Sequence, residues 1–343
     1  MRIWIDLANS PQVPFFLPLH AALLGQDHEV FVTLRNYAET VPLAQKFGIG
    51  GEPIGKHGGS GRLAKLPNLA ARSLQLAGYA RSRRPEIAVC HNSPTHVVAG
   101  RLIGARVINI MDFEGQPSNH LTFRIAHKVI VPASFPDADL KRLGARPARV
   151  YKYDGFKEQT YLSSFEPDDS FLEDFIDACG LDPSWDLDKT TLVTIRTPPT
   201  QAAYHAFENP LFDRLLTAAN VNPALTVIAL PRNPHQQEGI RKGYPNLHIP
   251  KRPVDGRNLL FFSDLVISGG GTMNREAAIL GTPAYTIFAG RLPAVDQSLI
   301  DLGRMRRITR IEELDAIAFQ KKEPREVLRN PDLCEELVRE MLT

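Results

Sequence analysis

The sequence predicts an α/β protein made of two doubly wound domains, each with a mostly parallel sheet covered by helices. Short β-branched and apolar runs alternate with longer amphipathic segments, as in successive β-α-β units. The chain has 343 residues, about twice the usual size of a domain. The alternation restarts after Phe165-Glu-Pro-Asp-Asp. We therefore expect a boundary around 154–167, with domains 1–160 and 161–343, and a last helix that packs on either half.

In the first half, the apolar runs predict strands and the amphipathic segments between them predict helices. The strands are expected near 2–7, 29–34, 87–91, 106–111, 128–132 and 148–153. The helices are expected near 14–25, 37–47, 64–82, 94–103, 118–126 and 136–143. The glycine-rich segment Gly48–Arg62 lacks periodicity and is predicted as a loop, either a plain connection or a lid that contacts phosphate.

The second half repeats this pattern. Its strands are expected near 191–196, 225–230, 247–249, 264–268, 284–288 and 307–309. Its helices are expected near 168–179, 209–219, 234–242, 272–280, 295–302 and 331–342.

Composition limits the classes of partner. The net charge is +2 and the sequence pI is about 8.4, which is too balanced to predict a nucleic-acid partner. The basic clusters Arg81–Arg84 and Arg304–Arg310 are interpreted as solvated faces, with anion contact as the alternative. Three separated cysteines, no signal-peptide pattern and no apolar stretch of about 18 residues favour a cytoplasmic setting. Peripheral membrane contact stays open.

The most informative segment is Phe262-Ser-Asp-Leu-Val-Ile-Ser-Gly-Gly-Gly-Thr-Met-Asn-Arg-Glu. It predicts a buried strand, a turn at Gly269–Gly271 and a helix capped by Thr272. Glycines let a backbone approach a diphosphate closely, and a helix N-terminus favours negative charge. Glu276 would then accept hydrogen bonds from a ribose. The alternative is a plain strand-to-helix turn.

This segment resembles the C-terminal nucleotide site of the GT-B superfamily, particularly the UDP-N-acetylglucosamine 2-epimerases. Together with Ile3-Trp-Ile-Asp-Leu-Ala-Asn-Ser-Pro and Tyr153-Asp-Gly-Phe-Lys-Glu, it is similar to the family called domain of unknown function 354. The resemblance implies a GT-B-like fold, with two Rossmann-like domains facing across a cleft. It further implies that Gly270, Gly271 and Thr272 contact the diphosphate and Glu276 the ribose, and that the loop Asp6–Pro11 faces the acceptor. Gly269 is a further predicted nucleotide contact.

The chain departs from the epimerases where those enzymes carry acids and bases. Ser93, Ser118 and Arg196 stand at three such places, and Asp112 alone keeps a carboxylate. Epimerisation by elimination and re-addition needs positioned acids and bases. We therefore favour glycosyl transfer from a nucleotide-diphosphate sugar without a metal. A UDP-sugar 2-epimerase or hydrolase, or a non-catalytic nucleotide-sugar binding protein, is the alternative.

Candidate residues follow the predicted strands, where ligands of open α/β sheets gather. Asp6 is expected to act as a base or to cap the next helix. His91 and Asp112 complete the catalytic candidates, and Glu114 falls on the same edge. The predicted substrate contacts in this half are Asn9, Ser10, Asn92, Ser93 and Lys157.

Two further groups are expected near the nucleotide. Arg196 and Arg232 end second-half strands and are expected to contact the diphosphate. Asp296 is expected to border the sugar or to cap a helix, and Lys157 to contact phosphate or to pair with Glu158. We predict no metal and no cofactor, because the nucleotide sugar is a substrate. The acceptor is expected to be a glycan, a lipid-linked sugar or a small molecule.

Overall fold

The computed structural model describes residues 1–37, 39–56, 65–198 and 210–343. The chain forms two compact units. The first consists of Met1–Tyr161, Pro293–Val295 and Asn330–Thr343, and the second of Leu162–Leu292 and Asp296–Arg329.

The first unit is built on a parallel seven-stranded sheet. Its strands are β1 (Arg2–Leu7), β2 (Glu29–Asn36), β3 (Glu52–Lys56), β4 (Ile87–His91), β5 (Arg106–Ile110), β6 (Lys128–Pro132) and β7 (Val150–Tyr153). Their order is β3-β2-β1-β4-β5-β6-β7. Its helices are α1 (Gln12–Gly25), α2 (Thr40–Lys46), α3 (Lys65–Arg81), α4 (Pro94–Leu102), α5 (Asn119–Ile125), α6 (Asp137–Leu143) and α7 (Gln159–Leu162). Neighbouring residues of β1 such as Ile3 and Trp4, which point to opposite faces, are both buried, as expected for a strand covered on both faces.

The second unit has a parallel six-stranded sheet. Its strands are β8 (Thr191–Arg196), β9 (Leu225–Leu230), β10 (Leu247–His248), β11 (Leu265–Ser268), β12 (Ala284–Thr286) and β13 (Met305–Arg307), in the order β10-β9-β8-β11-β12-β13. Its helices are α8 (Phe171–Cys179), α9 (Pro210–Val221), α10 (Pro234–Gly243), α11 (Gly256–Phe262), α12 (Gly271–Ile279) and, from Asp296 onward, α13 (Ala294–Asp301).

Both sheets reverse their strand order beside the first strand of the unit. In the first unit this point lies between β1 and β4, and in the second between β8 and β11. Such a point leaves a crevice at the carboxyl ends of the strands, where ligands of doubly wound folds bind. The prediction of two doubly wound parallel sheets is confirmed.

The last helix, α14 (Leu333–Leu342), belongs to the first unit. It buries Leu333, Leu337, Val338 and Met341. Lys128 Nζ donates to Glu340 Oε2 at 2.5 Å, and Arg106 Nη2 donates to the Met341 carbonyl at 2.8 Å. Among the described helices, none combines the length and the apolar character needed to cross a bilayer.

The predicted loop Gly48–Arg62 is wrong in part, because Glu52–Lys56 forms the edge strand β3. This strand contains Pro53 and a positive-φ Gly55, so its composition disfavours a strand. Pairing with β2 overrides that propensity. Residues 57–62 of the predicted loop lie outside the described residues.

Candidate functional site

The start of α12 is an uncapped helix N-terminus at the reversal point of the second sheet. The helix begins at Gly271, with Gly270 as its extended N-cap residue and no side-chain cap. The predicted Thr272 cap is therefore wrong, since Thr272 lies within the first turn. Ser268 lies two residues before Gly270, and its Oγ accepts a hydrogen bond from Gly270 N at 3.0 Å. This bond fixes the turn that precedes the helix. First-turn amides without a side-chain cap remain available to an anion.

Each of the three glycines of this turn lies close to a neighbouring group. A Cβ on Gly269 would meet Pro198 Cα at 3.1 Å, and one on Gly271 would meet Arg275 Nη2 at 3.1 Å. A Cβ on Gly270 would lie 2.9 Å from Arg232 Nη2. Gly270 thus allows a guanidinium to lie directly beside the start of the helix.

Arg232 is oriented by the loop that follows β8. Its Nε donates to the Thr197 carbonyl at 2.8 Å, while its backbone N–H donates to Gln236 Oε1 at 2.9 Å. Gln236 is itself fixed, because its Oε1 accepts a hydrogen bond from Thr197 Oγ1 at 2.7 Å. The guanidinium and the helix N-terminus together favour a doubly charged anion at this position.

Arg196 and Glu276 also lie near this point. Burial lowers the pKa of the Arg196 guanidinium, and the nearby Glu276 carboxylate opposes the shift. The two predicted ligand residues are therefore electrostatically coupled. Glu276 is partly buried in the second turn of α12.

Asp296 has a partner that the sequence did not suggest. It is 2% exposed and its Oδ1 accepts a hydrogen bond from Arg275 Nε on α12. This buried ion pair ties α13 to α12 and occupies one carboxylate oxygen. Arg275 directly follows Asn274 in the helix, and in the sequence it looks like an ordinary surface arginine. Only the packing of the folded protein shows that it is buried.

In the first unit, Asp6 lies at the centre of a buried polar cluster. It is 0% exposed and forms an ion pair with Arg72, whose Nη2 lies 2.8 Å from Asp6 Oδ1. Thr33 Oγ1 and Ser93 Oγ also donate to it, at 2.7 Å and 2.6 Å. Asp6 does not cap α1, whose N-cap residue is Pro11.

This cluster keeps Asp6 ionised. Burial alone raises the pKa of the Asp6 carboxyl, but the charge of Arg72 and the donated hydrogen bonds outweigh it and leave the pKa below its usual value. A carboxylate with a depressed pKa is a weak base. The predicted substrate residue Ser93 is 1% exposed and donates to this carboxylate.

A second cluster joins the ends of β4 and β5 to the chain after β7. His91 Nε2 lies 3.3 Å from Asp112 Oδ1. Lys157 Nζ donates to Asp112 Oδ2 and, at 2.9 Å, to Glu158 Oε1. The expected Lys157–Glu158 ion pair is present, and Lys157 also neutralises Asp112. The predicted convergence of His91 and Asp112 on one edge is observed.

The remaining predicted residues are placed differently. Asn92 donates to Ser118 Oγ at 3.0 Å and accepts from Thr122 Oγ1 at 3.1 Å, so its amide supports the fold. Asn9 is exposed and Ser10 partly buried in the turn before α1, where their carbonyls accept from Gln12 N and Val13 N.

Glu114 is 2% exposed, and its Oε1 accepts from Ala294 N at 3.0 Å.

The fold defines the class of protein. Two doubly wound parallel sheets, the second with a glycine-led helix at its reversal point, form the GT-B type of architecture. A family model described as Protein of unknown function (DUF354) matches residues 1–343. The chain belongs to this family.

Similar proteins have the same fold at low identity. An uncharacterized protein of Methanocaldococcus jannaschii is 27% identical over 319 residues, covering 92% of this chain and 89% of that protein. The crystal structure of a putative UDP-N-acetylglucosamine 2-epimerase from Listeria monocytogenes has a TM-score of 0.75 at 14% identity, covering 98% of this chain and 94% of its own. The UDP-GlcNAc 2-epimerase of M. jannaschii, solved with UDP-GlcNAc and UDP, has a TM-score of 0.72 at 14% identity, covering 99% of both chains.

A glycosyltransferase shares the fold as well. The glycotransferase of kitacinnamycin has a TM-score of 0.60 at 15% identity, covering 99% of this chain and 94% of its own. The fold is therefore common to epimerases and to glycosyltransferases.

Proposed function

We propose that this protein is an enzyme acting on a nucleotide-diphosphate sugar. In this proposal the diphosphate binds at Gly269–Thr272, and His91 and Asp112 are the candidate acid–base groups. One observation carries it: the uncapped start of α12 has the Arg232 guanidinium beside it, and Gly270 makes the space for that guanidinium. A helix N-terminus and an adjacent guanidinium suit a diphosphate.

The reaction that we favour is glycosyl transfer without a metal. An acceptor hydroxyl would lose its proton to His91, whose Nε2 lies 3.3 Å from Asp112 Oδ1. The acceptor oxygen would then bond to the anomeric carbon, while the bond from that carbon to the diphosphate oxygen breaks. Arg232 and the α12 amides would stabilise the departing diphosphate.

Asp6 fits a positioning role better than a base role in this scheme. Its carboxylate is occupied by Arg72, Thr33 and Ser93. A proton acceptor needs a free lone pair within reach of the substrate. His91 is the better candidate, because its Nε2 has no hydrogen-bond partner among the described residues.

The alternative chemistry is epimerisation or hydrolysis of a UDP-sugar. The epimerase names of the structurally similar Listeria protein and of the M. jannaschii UDP-GlcNAc 2-epimerase favour it, as does the Asp112 carboxylate. In that case Asp112 and His91 would exchange a proton with the sugar carbon, so deuterium from the solvent would enter the sugar.

The test is a calorimetric titration with UDP, UDP-N-acetylglucosamine and a GDP-sugar. Because Glu276 is expected to hold the ribose, Glu276→Gln should weaken binding about tenfold. Glu238→Gln, which removes an exposed carboxylate of α10, serves as the control and should leave affinity unchanged. Unchanged affinity in both variants, or no binding of any nucleotide to the unaltered protein, would overturn the assigned site.

Turnover then separates the reactions. Release of UDP that depends on an added acceptor supports glycosyl transfer, and deuterium in recovered UDP-sugar supports the epimerase. Binding without either identifies a nucleotide-sugar binding protein.

A further inference from the structure

A pocket lies at the amino ends of the strands of the second sheet. It is lined by residues at the amino ends of three strands, namely Asp264 before β11, Ala284 in β12 and Arg304 before β13. Its other wall is residues 318–325, which we call the strap. The start of α12 lies at the carboxyl ends of the strands, so this pocket is separate from the proposed nucleotide site.

The pocket has an excess of positive charge. Its lining holds five basic residues against two acidic ones: Arg304, Arg306, Lys321, Lys322 and Arg325 against Asp264 and Glu323. The negative charge of Asp264 is already balanced by groups of the protein. Its Oδ2 accepts from Lys321 Nζ at 3.0 Å and from Leu192 N at 2.8 Å, and its Oδ1 accepts from Lys322 N at 3.1 Å.

Three of the other cations are oriented by neutral acceptors. Arg304 Nη1 donates to the Glu326 carbonyl at 2.7 Å, and Arg325 Nη1 donates to the Gly303 carbonyl at 2.8 Å. Lys322 Nζ donates to Thr282 Oγ1 at 3.0 Å and to the Phe261 carbonyl. Carbonyl and hydroxyl oxygens fix these side chains without cancelling their charge, and the nearby Glu326 carboxylate offsets part of the charge of Arg304. The guanidinium and ammonium groups are therefore pre-organised for an anion.

We propose that the strap pocket binds a small polyphosphorylated ligand. The surplus of three positive charges, from five basic and two acidic side chains, suits a diphosphate better than a single carboxylate. Because the site is remote from the start of α12, a ligand there would be an effector or a second substrate.

The reactivity of the Lys322 amine can report whether a ligand occupies this pocket. Burial lowers the pKa of Lys322 to about 8, with Lys321 adding to the shift and Asp264 opposing it. An appreciable fraction of the amine is therefore neutral and nucleophilic near pH 8. A bound anion would favour the protonated form and cover the amine, and both effects slow acylation.

The experiment measures the acylation rate of Lys322 in the full-length protein by peptide mass spectrometry, with and without pyrophosphate. We expect millimolar pyrophosphate to slow acylation of Lys322 about tenfold and to leave the exposed Lys242 unaffected. The readout is confined to Lys322, so it does not depend on whether a nucleotide binds at α12.

Two matched variants test the charge. Arg306 is exposed and, among the described residues, forms no ion pair, so Arg306→Gln removes one pocket charge without breaking a structural contact. Arg241→Gln removes an exposed charge from α10, which connects β9 and β10 at the far edge of the sheet. Half-protection should need about tenfold more pyrophosphate in Arg306→Gln only. Absence of protection in the unaltered protein, or an equal loss in both variants, would overturn the proposal.

Discussion

Asp6 stands where a catalytic carboxylate is expected, but its side chain has a structural role. It follows an apolar strand, as a catalytic carboxylate often does, but it is 0% exposed and paired with Arg72. The sequence places Arg72 on a helix sixty-six positions later, with no local signal that the two meet. A long-range ion pair of this kind follows only from the sheet order.

Replacing Asp6 tests its structural role. Asp6→Asn leaves the Arg72 guanidinium buried without a counter-charge, so the free energy of unfolding should fall by about 3–5 kcal/mol. Urea denaturation measures this. The control is the double variant Asp6→Asn, Arg72→Met, which should recover part of the loss; equal stability of Asp6→Asn and the unaltered protein would contradict the assignment.

The same residue predicts a dependence on acid. Its folded pKa lies below the value of about 3.9 expected for the unfolded chain. The stabilisation by ionised Asp6 is therefore fully present above that pH, and it is lost as the pH falls through the folded pKa. Unfolding free energies of the unaltered protein and of Asp6→Asn should converge as the pH falls below about 3.9.

His91 is the residue whose replacement should separate chemistry from binding. If it accepts the acceptor proton, His91→Gln should lower kcat by about 10²–10⁴-fold, because a positioned general base contributes that much. UDP affinity should be unchanged in a calorimetric titration. His120→Gln, at an exposed site on α5, is the control, and a His91→Gln enzyme with full kcat would remove His91 from the mechanism.

At the scale of elements, α12 concentrates the sequence information on function. The strand-glycine-helix pattern predicts its position to within one residue, because the glycines have a local backbone role. The predicted cap is wrong, since Thr272 is a good capping residue by type but lies two positions after the N-cap residue Gly270. The position of Arg232 after a strand predicts its place at this site.

Gly270 offers a test of that arrangement. Its φ of −128° suits any residue, so Gly270→Ala should fold normally. The new Cβ would push Arg232 Nη2 away from its present position 2.9 Å from that atom, so UDP binding should weaken by about tenfold. The control is Gly256→Ala at the start of α11, where a Cβ meets nothing within 4 Å; equal affinity in both would contradict a role for Arg232.

The elements that the sequence missed share a cause. β3 pairs with β2 alone and contains glycine and proline, while α11 is a short helix that begins at Gly256 after an Asp255 cap. Neither has enough residues for a periodic pattern. The long buried strands were predicted almost to the residue, since their apolar runs are continuous.

At the scale of the molecule, the two tryptophans allow each unit to be followed separately. Trp4 is buried in the first unit, and Trp185 donates to Thr226 in the second. Leu337→Ala removes a fully buried side chain of α14 and should destabilise the first unit by about 2–5 kcal/mol. In a Trp185→Phe background, Trp4 fluorescence in urea should show this loss.

The reciprocal background is the control for that prediction. With Trp4→Phe, the Trp185 signal should shift less on Leu337→Ala, because α14 belongs to the other unit. Equal shifts of both signals would show that the two units unfold together.

The return of α14 to the first unit also determines when that unit is finished during synthesis. The second unit is complete at Arg329, before α14 emerges from the ribosome, whereas the first unit still lacks the side chains of Leu333, Leu337, Val338 and Met341. The apolar surface of α1 that these residues cover stays exposed until then. The unit translated first should therefore be the one that matures last, and a chaperone that binds apolar surface on nascent chains would meet it there.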